Sequence, residues 1–280
     1  MNTLPIENVL HPTDFTRSEA SAFAHALKIA LLSKSKLHLF HVGQADEEVH
    51  WEDFPHVRPW LESWRIIPSG SSHQDVINAG LHLRKVRRKG SDAAAGILEF
   101  MERDSPDLVV MATDQRRGVL RWIHHSVSEP VVRKTRAMTL FVPRRVQGFV
   151  SIPTGEVHLR NIVVPMAHKP NPQVAVEGLV RLLDALQVAK THVTFFHAGP
   201  ESSVPEARIP SRPGWTSEAD AWEGDVVDHI LRISEDRDAD LIVMATKGRD
   251  GFLDAIRGTT TERVLRGVRC PLLAVPEASL

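Results

Sequence analysis

The chain has 280 residues, 42% hydrophobic and 25% charged, ample for two domains with sizeable cores. A formal net charge of −1 excludes a global attraction to nucleic acid or anionic lipid, and the single cysteine, Cys270, excludes an internal disulfide framework. No apolar run reaches 18 residues and the opening residues lack a basic-then-apolar leader pattern, so a soluble, cytoplasmic chain with no membrane or nucleic-acid partner is expected.

Asn8 to His11 reads as a first strand. Thr16 to Glu19 has the spacing of a capping box, and Phe23, Leu27, Ala30 and Leu31 recur behind it at helical spacing. Lys36 to Val42 gives a second strand and about Leu81 to Val86 a third. Ala93 to Arg103 follows as a helix and Leu108 to Ala112 as a fourth strand. A helix near Ser128 to Thr135 then precedes a strand over Met138 to Val142. The later half repeats the order: Ile162 to Val164, a helix carrying Val176, Leu179, Val180 and Leu183, then Thr191 to His197, Val226 to Ser234, Leu241 to Ala245, Thr261 to Arg266 and Leu272 to Val275. Gly43 to Asp75 and Gly199 to Trp222 read as irregular loops, either packed or covering a ligand pocket. Arg144 to Leu159 reads as a linker.

The repetition is also literal. Asp107-Leu-Val-Val-Met-Ala-Thr returns as Asp240-Leu-Ile-Val-Met-Ala-Thr, an offset of 133 that also aligns Ser126 with Thr259 and Leu140-Phe-Val-Pro143 with Leu273-Ala-Val-Pro276. The first strands correspond at an offset of 153, Pro12 with Pro165, so the register changes in a loop between them. Short strands rich in Val, Ile and Leu, alternating with helices, imply an α/β fold of two tandem domains, residues 1–147 and 157–280. Each is a five-stranded, mostly parallel sheet with helices on both faces. Ligands of such sheets sit at the carboxyl ends of the strands.

The chemistry is expected after the fourth strand of the second half, at Met244, Ala245 and Gly248, followed nine residues later by Gly258, Thr259 and Thr260. Glycine lets main-chain N–H groups approach an anion, and a Gly-Thr at a helix start adds hydroxyls and the positive end of the dipole. Lys247 and Arg249 flank this loop, either supplementing its charge or simply solvated. A Walker motif is absent.

Pro12-Thr13-Asp14 after the first strand, the repeated Asp-Leu-(Val/Ile)-Val-Met and the spaced glycines resemble a universal stress protein with two tandem domains. The resemblance implies the adenine nucleotide alpha hydrolase-like fold. The family pattern Gly-x2-Gly-x9-Gly-(Ser/Thr) is met here by Ala245-x2-Gly248-x9-Gly258-Thr259, three positions of four. By resemblance, ATP, with Mg2+ as a possible companion, would lie on that loop beside Pro165. An acidic residue after the first strand would hold the nucleoside, the position of Asp14. The terminal strands would pair across the two domains. Further association into a homodimer is compatible with this arrangement.

The halves keep complementary parts of the pattern. The first retains Thr13, Asp14 and Ser126 as a possible ligand site but has Ala112, Gln115 and His125 in place of the glycines; the second retains Gly248, Gly258 and Thr259 but has Ala167 opposite Asp14. Losing one carboxylate contact costs about 1.5–3 kcal/mol, whereas non-glycine residues at two or three strained positions cost about 1–3 kcal/mol each. The second half is therefore the expected nucleotide site. His11, His41 and His125, with Asp14, offer an alternative Zn2+ site, against separate core or surface histidines. The basic run Arg84 to Lys89 fits a charged edge strand better than a nucleic-acid surface. Catalytic motifs are absent, so a nucleotide-binding regulator or sensor, hydrolysing ATP slowly at most, is expected. The readings from other classes are an interaction scaffold and a metal-binding tandem domain.

Overall fold

The computed structural model describes residues 4–43, 50–114, 137–247 and 260–277. Ten strands form one sheet. The first repeat contributes β1 (Asn8–Pro12), β2 (Lys36–Gly43), β3 (His82–Lys89), β4 (Leu108–Thr113) and β5 (Met138–Pro143). The second contributes β6 (Asn161–Met166), β7 (Thr191–Ala198), β8 (Trp215–Trp222), β9 (Leu241–Thr246) and β10 (Leu272–Pro276). Their order, β3-β2-β1-β4-β5-β10-β9-β6-β7-β8, is the same five-strand sequence read outward twice from the middle. Neighbours within each repeat are parallel. The terminal strands β5 and β10 pair antiparallel, Leu272 opposite Phe141, Leu273 opposite Leu140 and Ala274 opposite Thr139, as the family resemblance led us to expect.

Burial explains which strands lie where. β4 and β5 are buried at every position, as strands covered on both faces must be, while the outer strands β3 and β8 are polar and largely accessible. On one face α1 (Ala20–Ser33) and α5 (Pro172–Ala185) share a continuous apolar cluster with α2 (Val57–Ser63). On the other lie α4 (Ala93–Asp104), α6 (Val226–Asp236) and α7 (Thr260–Gly267), around Phe100, Phe141, Phe196 and Ile230. α3 (His73–Asn78) is a short helix with a Ser72/Asp75 capping box, and it shares a cleft with β3. Gly178 of α5 sits where a Cβ would come within 2.5 Å of Val275 Cγ2 and 3.1 Å of Met138 Sδ, so the helix lies directly on the β5/β10 seam. Arg181, on the same helix, donates to the carbonyls of Leu4 (2.9 Å) and Pro5 (3.3 Å) and lies 3.4 Å from Asp107 Oδ1, tying the second repeat to the first.

The repeated aspartates have a structural role. Asp107 Oδ2 accepts from the N–H groups of Glu7 and Asn8 at 2.9 and 3.0 Å. Asp240 Oδ2 accepts from Arg160 and Asn161 at 2.7 and 2.9 Å. Each carboxylate thus satisfies the donors at the start of its repeat's first strand.

Several sequence expectations change. The segment Gly43 to Asp75 contains α2 and the start of α3, and Gly199 to Trp222 contains the edge strand β8. The linker is packed: Phe149 and Val150 are buried, their N–H groups donate to His25 Nε2 at 3.1 and 3.3 Å, and Val150 bridges Val157. Gly155, at φ +67°, leaves no room for a Cβ beside Trp64, whose Nε1 donates to Ile152 O at 2.8 Å. The capping box at Thr16 does not form. Asp14 Oδ1 accepts the Thr16 N–H at 3.0 Å, and Glu19 turns inward. The helix near Ser128 to Thr135 lies outside the described residues. Cys270 is buried, its thiol pushed up to about 12 by burial and then by the Asp240 charge, which leaves it unreactive.

Candidate functional site

Parallel pairing brings the carboxyl ends of β1, β2 and β4 together in the first repeat and those of β6, β7 and β9 in the second. In the first repeat this end is filled by the protein's own side chains. Thr13 Oγ1 donates to Glu19 Oε2 at 2.9 Å, and the same oxygen accepts from Asp14 N at 3.1 Å. Arg144, one residue past β5, donates through Nη2 to Asp14 Oδ2 at 2.7 Å and Glu19 Oε1 at 3.3 Å, and through Nη1 to Thr16 Oγ1 at 2.6 Å and to Ser18 Oγ. Burial would raise Asp14, but hydrogen bonds from Thr16 and the Arg144 charge hold it below the usual carboxylate range. Glu19 is pushed up to about 8 by burial and then by the Asp14 charge, against the pull of Thr13 and Arg144. Phe15 stands at φ +62°, a costly conformation for an aromatic residue, and stacks on His41 with ring centroids 4.0 Å apart.

The second repeat departs at both charged positions. Ala167, exposed at the end of β6, stands where the first repeat has Asp14. The residue after β10 is Glu277, the counterpart of Arg144; its Oε1 accepts from Asn171 N at 2.8 Å, at the start of α5. What both repeats keep is a histidine tie between strand end and loop. His41 Nδ1 donates to Thr13 O at 2.8 Å, and His197 Nδ1 to Met166 O at 3.1 Å. His197 Nε2 also meets Ser203 Oγ at 3.1 Å.

Of the residues expected to hold nucleotide, Pro165 is half-buried beside Phe196, and Met244 is buried in the core with Ile230 and Val264, leaving only its main chain near the strand end. Ala245 is half-buried, and Thr260 opens α7. Gly248, Gly258 and Thr259 lie outside the described residues, as do Ser126 and His125. Arg144, Glu19, Glu277 and the His41/His197 pair were not singled out for these roles from sequence; the charge exchange at 144 and 277 is visible at the 133 offset.

The metal alternative finds little geometry. His11 is fully buried, donates through Nδ1 to Val110 O at 2.9 Å, and is pushed down to about 4 by burial. His41 is engaged as described. Among the described residues no group of three or more His, Cys, Asp or Glu is placed to share an ion. Among them, too, no helix is long and apolar enough to cross a membrane.

The family model for "Universal stress protein family" matches residues 5–143 and 212–276. A universal stress protein of Methanocaldococcus jannaschii is 40% identical over 53 residues, 19% of this chain and 31% of that relative, so the match spans under a third of the relative's length. The solved structure of a universal stress protein from Archaeoglobus fulgidus covers 96% of this chain and 98% of its own at a TM-score of 0.58 and 13% identity. A functionally unknown protein from Pseudomonas aeruginosa covers 97% and 92% at 0.56 and 14%. These identities speak to fold alone. With the family model covering well over half of the sequence, and a sheet built twice to one plan, the chain belongs to the universal stress protein family.

Proposed function

We propose that this chain binds one adenine nucleotide, ATP with Mg2+, at the strand ends of its second repeat, and that it acts as a regulator or sensor in a cytoplasmic stress response. The reading treats residues 1–147 and 157–280 as two domains of which only the second takes ligand. Pro165, the main chain of Met244 and Ala245, and Thr260 would border the nucleotide, with Gly248, Gly258 and Thr259 carrying the phosphates. The observation that carries it is the charge exchange between repeats. Arg144 occupies the Asp14 carboxylate in the first, whereas Ala167 is exposed and Glu277 is directed to Asn171 in the second. A ligand entering the first repeat would have to displace a guanidinium with four hydrogen-bond partners; entering the second, it meets a methyl group.

Calorimetric titration of the full chain with ATP and Mg2+ tests this. One site per chain is expected, weakened at least about ten-fold, about 1.4 kcal/mol, by Ala167→Trp and unchanged by Asp14→Ala. Absence of binding would favour the interaction-scaffold reading, and loss of binding in Asp14→Ala alone would move the site to the first repeat.

A further inference from the structure

The two repeats differ most beside their outermost strands. The connection from β2 to β3 carries α2 and α3, whereas that from β7 to β8, residues 199–214, carries only a 3-10 turn over Glu201–Ser203. The added helices wall a cleft of about 940 Å3 whose lining includes four consecutive residues of β3, His82, Leu83, Arg84 and Lys85. β3 is the end of the sheet and pairs only with β2 among the described residues. Gly90 N donates to Gly43 O at 2.9 Å, so by strand alternation the even-numbered residues of β3 direct their N–H and C=O groups to β2. Those of Leu83 and Lys85 therefore point outward, into the cleft.

Among the described residues that line the cleft, cations outnumber carboxylates, with Arg84 paired to Asp104 at 2.9 Å and the nearby Glu52 charge acting on Lys85. Arg58 Nη1 donates to Ser71 O at 3.0 Å and Lys85 Nζ to Trp51 O at 2.7 Å, so each cation meets a neutral carbonyl, with no carboxylate at salt-bridge distance among the described residues. Among the described residues Glu62 is the one carboxylate in the lining, and its Oε1 already accepts from Gly70 N and Ser71 N at 3.1 and 3.2 Å. Two of the large apolar side chains left exposed by the fold, Trp51 at 61% and Ile77 at 39%, also face this cleft. The opposite outer strand shows the contrast: on β8, Glu218 and Asp220 are both neutralised by Arg237, at 3.0 and 2.7 Å.

We propose that this cleft receives an extended acidic segment of a partner protein, which adds as an eleventh strand to the outer edge of β3, its main chain on Leu83 and Lys85, its carboxylates on Arg58 and Lys85 and its apolar side chains against Trp51 and Ile77. Main-chain pairing supplies affinity in this mode, and alternate side chains supply selectivity. The site is separate from the strand-end crevices and does not depend on nucleotide.

Fluorescence anisotropy of the full chain with a labelled peptide of alternating glutamate and valine tests it. Binding that weakens with salt is expected, falling at least about ten-fold in Arg58→Gln/Lys85→Gln and in Ile77→Lys, each checked for an unchanged melting curve. A peptide N-methylated at alternate residues keeps its charge but cannot pair as a strand, and should bind at least about ten-fold more weakly. Equal binding of the methylated peptide, equal binding to the variants, full displacement by inorganic phosphate at matched ionic strength, or no binding at all would each overturn the proposal.

Discussion

Arg144 Nη2 stands 2.7 Å from Asp14 Oδ2, a contact spanning 130 residues of chain, and the corresponding residues of the second repeat, Glu277 and Ala167, cannot make it. One copy of a duplicated site thus holds an internal ion pair where the other has an exposed alanine and a glutamate turned to Asn171.

That pair should be measurably coupled. The Asp14 side chain is 50% exposed and Arg144 only 18%, which places the interaction between a surface pair and a buried one. A double-mutant cycle with Asp14→Ala and Arg144→Ala, read by urea unfolding, should give a coupling of about 1–2 kcal/mol. A value indistinguishable from zero would mean that the contact holds nothing in place.

Stability should peak at mildly acidic pH, because two kinds of buried group pull in opposite directions. Burial pushes His11 and His25 from 6.5 down to about 4, so between those values the unfolded chain binds more protons. Their contribution is complete above about 6.5 and is lost as pH falls toward 4, a penalty of about 3 kcal/mol each in strong acid. Glu19, raised from 4.5 to about 8, has the opposite sign: the folded chain holds its proton, and that contribution is complete below 4.5 and lost as pH rises through 8. Two histidines outweigh one glutamate on the acid side, so denaturant midpoints should be highest near pH 6.5. Replacing Glu19 with Gln should flatten the alkaline decline and leave the acid limb; an unchanged alkaline limb would refute the assignment.

Arg181 should be costly to remove. Its side chain is 4% exposed, and its guanidinium serves two carbonyls and the Asp107 carboxylate, all in the first repeat. Arg181→Met keeps the apolar stem but leaves those acceptors unanswered, and should lower unfolding free energy by about 3 kcal/mol. Lys at this position has a point charge and should restore less than half of it. A loss under about 1 kcal/mol would show that water replaces the guanidinium freely.

The duplicated inner strands were legible because burial on both faces forces long apolar runs, and β4 and β9 repeat almost letter for letter. β8 was missed for the opposite reason: Trp-Thr-Ser-Glu-Ala-Asp-Ala-Trp lies at the sheet edge, where accessible faces admit acidic residues that otherwise mark loops. Asp107 and Asp240 belong to a repeated motif, and their work on strand N–H groups depends on strand ends about 80 to 100 residues away in the chain, which the motif itself does not name. Glu19 matched the capping spacing, but local spacing carries no information about Arg144, which arrives from the far end of the repeat. At the nucleotide site the pattern predicted Gly248, Gly258 and Thr259, which lie outside the described residues, while the exposed Ala167 and the redirected Glu277 emerge from the fold.

The ladder between β5 and β10 has a further physical consequence. Two separate molecules joining through such strands would have to surrender translational freedom, and dilution would drive them apart. Here a covalent tether has already removed that freedom, so the seam closes at any protein concentration, and either copy can drift in sequence without the pair dissociating.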